Sequence, residues 1–132
     1  MNETFLLGNL ARDPIVSTTK SGKTLVRMTV AASRMTRGAD GQSKEVTEYI
    51  PVTVWPPLSA DAQNYMKGDR VNVQGHIRNY SYEKDGQKRY SYEVTAAFVA
   101  RAVKTNYKPA PAGQSFSDMG SDDPNEEIPF PF

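Results

Sequence analysis

Apolar and polar side chains alternate with period two over much of the region between residues 4 and 99, which predicts a domain built of strands. A first apolar run covers residues 4–10, interrupted by Gly8 and closed by Arg12-Asp13-Pro14. In 24–33, Val26, Met28, Val30 and Ala32 point one way and Arg27, Thr29 and Ser33 the other. The polar stretch 38–44 reads as a loop. In 46–55, Val46, Ile50, Val52 and Val54 share one face, and Thr47, Tyr49, Pro51, Thr53 and Trp55 share the opposite one. Pro51 has no N–H to offer a ladder, so an edge or a bulge is expected there. Residues 58–66 form the one predicted helix, with Ser59 as N-cap and Gly68 beyond its end.

Two longer strands are expected over 70–82 and 87–99, joined through Lys84-Asp85-Gly86-Gln87. Asp-Gly between alternating segments is the strongest short-range hairpin signal. If Asp85-Gly86 is a two-residue turn, Tyr82 faces Arg89 and Tyr80 faces Ser91, which gathers Arg78, Tyr80, Tyr82 and Arg89 on one surface. Val71, Val73 and Ile77 share odd parity and are expected to face the core; with that turn Tyr90 and Tyr92 lie on the core side, an assignment that a longer loop reverses. Five strands with a helix between the third and fourth is the order of an OB-fold, a small Greek-key barrel with a face that binds oligonucleotides. The expected class is therefore all-β: an OB-fold barrel with one short helix over 1–108.

Charge divides the chain in two. Residues 1–108 hold 16 basic and 10 acidic side chains, or +6, whereas 109–132 hold 5 acidic and none basic, or −5. A basic body points to a polyanionic partner. The tail is rich in Pro, Ala, Gly, Ser and acids, too poor in apolar surface to offset the entropy of folding, and reads as disordered. The absence of cysteine excludes a disulfide scaffold and a thiolate metal site. No run approaches the length of a membrane span and no basic n-region precedes an apolar stretch, so no membrane partner is expected and a cytoplasmic location is.

Candidate chemistry follows from the faces. Outward Tyr49, Trp55, Tyr80 and Tyr82 suit base stacking, while Arg34, Arg37, Lys44, Arg78, Lys84 and Arg89 would follow phosphates. The competing explanation for each ring is packing across a sheet, since Tyr and Trp are good strand residues. Ser21-Gly22-Lys23-Thr24 mimics the end of a phosphate-binding loop, but position 17 is Ser and Thr24 opens a strand, so it reads as a turn. His76 stands alone, and Asp61, Asp69, Glu83 and Glu93 read as solvated face residues. No catalytic, metal or cofactor site is expected.

The chain resembles the bacterial-type single-stranded DNA-binding proteins (SSB) through Leu7-Gly8-Asn9-Leu10, Thr47-Glu48-Tyr49, Tyr65-Met66-Lys67-Gly68, 73–78 and 85–90, and again at the tip. The resemblance implies sequence-independent binding of single-stranded DNA in replication, recombination and repair, a homotetramer and association with the nucleoid. It places Tyr49, Trp55 and Tyr82 at stacking positions, with Thr36 where relatives often carry Trp. Trp55-Pro56-Pro57 replaces a Phe-Gly-Lys-like segment. It further implies that Asp122, Asp123, Glu126, Glu127, Ile128, Pro129, Phe130, Pro131 and Phe132 dock genome-maintenance proteins, with either Phe130 or Phe132 entering the partner's pocket. Two rivals stand beside this: an RNA-directed OB module, and a protein scaffold without nucleic-acid binding.

Overall fold

A computed structural model describes residues 1–102. The elements are β1 (Thr4–Leu10), β2 (Ile15–Thr18), β3 (Thr24–Arg37), β4 (Ser43–Val54), α1 (Ser59–Ala62), β5 (Arg70–Lys84) and β6 (Gln87–Arg101). The sheet runs β1-β5-β6-β4-β3-β2, and a further β1–β3 pairing closes β1, β5, β6, β4 and β3 into the five-stranded barrel of an OB-fold. All pairings are antiparallel except β4–β6, which is parallel at Val52↔Val94 and Thr53↔Thr95.

The core is the inward face of that barrel: Leu10, Val26, Met28, Val30, Val52, Val54, Val71, Val73, Val94 and Ala96, with Ala62 of α1 at one end. The alternation survives over 26–30, where exposed Arg27 and half-buried Thr29 lie between buried Val26, Met28 and Val30, whereas 52–54 is buried throughout because Thr53 pairs with Thr95 across the β4–β6 seam. Gly8 does not break the first strand. It lies within β1, and a Cβ there would overlap the Ala31 carbonyl oxygen, so its small size permits the close β1–β3 approach that seals the barrel.

Several expectations change. The segment 15–18 is a strand, paired with the start of β3, although all four residues are exposed and carry no alternation of burial. The helix is shorter than 58–66, and its N-cap is Leu58 rather than Ser59, whose side chain makes no capping bond. Beyond Ala62 the chain tightens, with Asn64 and Tyr65 donating to carbonyls three residues back. Two carboxylates then capture the next amides: Asp69 accepts from Met66 N–H at 2.9 Å, and Asp13 from Lys67 N–H at 2.7 Å. Asp69 is thus a structural acceptor rather than a solvated face residue.

Pro51 sits in a regular register opposite Thr29, without a bulge. The Thr29 carbonyl accepts from Ala11 N–H at 2.9 Å, so it faces β1, and the Thr29↔Pro51 pair asks no N–H of the proline. The stretch 19–23 is a turn, closed by Gly22 N–H to the Thr19 carbonyl, and Thr24 opens β3 as expected.

The expected hairpin is present. Lys84 pairs with Gln87, leaving Asp85 (φ 54°) and Gly86 (φ 75°) as a two-residue turn with both residues left-handed. Tyr90 and Tyr92, expected on the core side, are 67% and 64% exposed, and Ile77 is exposed as well. Their parity matches Val94, but the β5–β6 ribbon outruns the barrel there, so no core remains for them to meet. The 103–108 end of the expected domain, the disordered tail and the acidic docking tip lie outside the described residues.

Candidate nucleic-acid interface

The two-residue turn fixes cross-strand pairs Tyr82↔Arg89, Tyr80↔Ser91 and Arg78↔Glu93, and strand alternation puts all six on one face. Lys84 shares that face at the ribbon tip. The Tyr80 and Tyr82 rings lie 6.2 Å apart, tilted by 38°, with Tyr82 exposed and Tyr80 partly buried. They are two successive platforms beside two guanidinium groups, an arrangement suited to stacked rings threaded by a charged backbone.

The face continues from the ribbon onto the barrel. Trp55, just past β4, lines a hollow of about 140 Å³ with Arg27, Thr53, Arg78, Tyr80 and Glu93. An adjoining hollow of about 200 Å³ adds Arg12 and Ile15 around the same Arg27, Thr53, Tyr80 and Glu93. The structure therefore joins Trp55, Arg78 and Tyr80 directly, as three of the expected residues. Arg12 and Arg27 are exposed cations on this surface that the sequence reading passed over. Arg27 was legible as the outward neighbour of Val26; Arg12, in a loop, carried no pattern.

Glu93 is the other residue missed. Expected on a solvated face, it has only 13% of its side chain exposed. One carboxylate oxygen, Oε2, accepts the Thr53 hydroxyl at 2.7 Å, and Arg78 Nη1 stands 3.7 Å from Oε1. The parallel β4–β6 seam creates this environment by bringing Thr53 beside Thr95, two residues along the same strand face from Glu93.

The β3–β4 ribbon carries the remaining expected residues. Tyr49 is exposed opposite Ala31, and the nearby Ser33 and Thr47 hydroxyls are 2.9 Å apart, tying the two strands together. Arg37 has the strand parity of Ser33, whereas Arg34 and Lys44 have the opposite parity to Tyr49. Arg34 is engaged by Glu48 at 3.7 Å, an exposed pair contributing little to stability. Of the six expected phosphate contacts, Arg78, Lys84 and Arg89 thus share a face with the Tyr80–Tyr82 pair, while Arg34 and Lys44 fall on the far side of their ribbon. His76 is exposed in β5 opposite Thr95. Among the described residues no cluster of His, Cys, Asp or Glu could hold a metal, and no helix is long and apolar enough to cross a membrane.

Comparison with known proteins agrees with this geometry. Residues 1–102 match the model of the single-strand binding protein family. The chain is 35% identical over 124 residues to a single-stranded DNA-binding protein of Clostridium tetani, covering 92% of this chain and 83% of that one. It is 35% identical over 100 residues to the Deinococcus radiodurans single-stranded DNA-binding protein, covering 75% of this chain but 33% of that longer protein. The chain also spans about half, 52%, of its Thermus thermophilus relative. Among solved structures, a deletion mutant of the single-stranded DNA binding protein from Thermus aquaticus superposes with a TM-score of 0.72 at 26% identity, over 78% of this chain and 51% of that one.

Proposed function

Because this chain belongs to the single-strand binding protein family, we propose that it binds single-stranded DNA without marked sequence preference, as a binding protein and not an enzyme. The observation that carries the reading is the pair of rings at 6.2 Å between Arg78 and Arg89, continuous with Trp55 and Arg27. Exposed Tyr49 extends the stacking surface along the second ribbon. A duplex keeps its bases inside and offers such rings nothing to stack on, so the surface selects unpaired strands. Anisotropy of labelled oligo(dT) against a duplex of equal length tests this. Preferential binding of the single strand, weakening steeply with salt, supports the reading; equal affinity for both overturns it.

The biological setting we infer is replication, recombination and repair at the nucleoid, where single strands need cover. The acidic tip, Asp122 to Phe132, would recruit genome-maintenance proteins through its carboxylates and either Phe130 or Phe132. Because the acidic tail would also compete weakly for the basic surface, removing 122–132 should raise single-stranded DNA affinity slightly and abolish recruitment.

A homotetramer, or a closely related assembly, completes the proposal. Phe5 and Phe98 are 67% and 47% exposed and both face Gln74 across adjacent strands, with exposed Leu7 further along β1. A second apolar cleft, about 200 Å³, lies between Leu6, Ile50, Ile77, Tyr92 and Val94. Side chains of this size on a strand face favour burial against another copy.

A further inference from the structure

A surface that only followed phosphates would carry no carboxylate at its centre, since a fixed negative charge repels the backbone it is meant to hold. Glu93 lies between the two hollows described above, in the wall of both, with Tyr80 in the wall of both as well. Arg78, at 3.7 Å, offsets the charge without forming a close hydrogen bond to it. Thr53 fixes the carboxylate through Oε2 at 2.7 Å and leaves Oε1 with lone pairs to spare. An aromatic platform beside an immobilised acceptor is the chemistry that receives a base edge.

An ionised carboxylate accepts hydrogen bonds and donates none. Guanine presents two adjacent donors on its Watson–Crick edge, the N1–H and the 2-amino group, and cytosine presents its 4-amino group. Thymine presents one N–H between two carbonyl oxygens, which a carboxylate repels. Resting on the single-stranded DNA reading above, we infer that the hollow between Tyr80, Arg27 and Glu93 is a base-selective seat that takes amino-bearing bases, guanine foremost, over thymine. Glu93 is the specificity-determining residue, and Arg12 and Arg27 hold the phosphates on either side of the seated base. The remainder of the groove stays indifferent to sequence, so the preference is confined to one nucleotide of the bound strand.

The test is competition anisotropy with a short dT oligomer and the same oligomer carrying one central dG or dC. The strand can slide until the favoured base reaches the seat. One dG should tighten binding by about fivefold, the low end for a two-donor base contact, and dC by less. Glu93→Gln should abolish the preference, because an amide accepts the ring N–H and donates to the adjacent carbonyl oxygen of guanine and of thymine alike. Equal affinities across the wild-type series overturn the inference while leaving single-stranded DNA binding in place. The same dG preference in wild type and Glu93→Gln also overturns it, as does a uniform loss in the variant with no change of order, the mark of a merely structural carboxylate. Failure of the wild type to bind any of these oligomers would overturn the underlying reading instead.

Discussion

Thr53 donates its hydroxyl hydrogen to Glu93 at 2.7 Å across the seam where β4 and β6 run parallel, joining barrel closure to the exposed face in a single contact. Thr53 is buried and Glu93 nearly so, which makes the bond costly to lose. Thr53→Val keeps the side-chain shape and removes the donor. It should destabilise the protein by about 1–3 kcal/mol, as expected when a charged acceptor is left partly buried without its partner. Urea denaturation of the two proteins measures this, and an unchanged midpoint would show that Glu93 finds another donor.

Tyr80 and Tyr82 predict separable losses. Replacing either by Ala should weaken oligo(dT) binding by about 1–3 kcal/mol, whereas Phe at either position should retain most of the affinity because stacking needs the ring and not the hydroxyl. Anisotropy titrations compare the four variants. If Ala and Phe variants are equally impaired, the phenol hydroxyls matter more than the ring faces.

For Arg89, the informative quantity is the salt slope rather than the affinity. Each phosphate contact on a single strand contributes about 0.7 to the slope of log affinity against log salt. Arg89→Ala should flatten the slope by about that amount. Lys44→Ala, on the opposite parity of the other ribbon from Tyr49, should leave it nearly unchanged. Titrations over a range of salt concentrations distinguish the two.

Assembly rests on Phe5 and Phe98. Phe98→Asp places a charge on the exposed β1-β5-β6 face without touching the core, so the fold should persist while self-association falls. Light scattering of wild type and variant gives the answer: a wild-type monomer at working concentration would contradict the proposed assembly.

The local parts of this architecture are legible in the sequence. Asp85-Gly86 predicts its two-residue turn, and with it the pairing of Tyr82 with Arg89, because the register of a hairpin depends on nearby chemistry alone. The valines of β3, β4 and β5 identify the core for the same reason. What escapes the sequence is set by distant contacts. Ile15–Thr18 becomes a strand through pairing with β3, not through any pattern of its own. Tyr90 and Tyr92 have core parity but sit past the end of the barrel, and parity does not report where a barrel ends. Glu93 resembles any outward glutamate until β4 closes against β6 and brings the Thr53 hydroxyl to it.

The most direct test of single-stranded DNA binding at this face uses Trp55, the chain's single tryptophan, which lines the hollow beside Arg78 and Tyr80. Titration with oligo(dT) at low salt, following Trp55 fluorescence alongside anisotropy of the labelled strand, should give strong quenching that saturates with the anisotropy and is reversed by added salt. Saturating anisotropy with unchanged fluorescence would move the strand off Trp55, and no anisotropy change at low salt would contradict single-stranded DNA binding altogether.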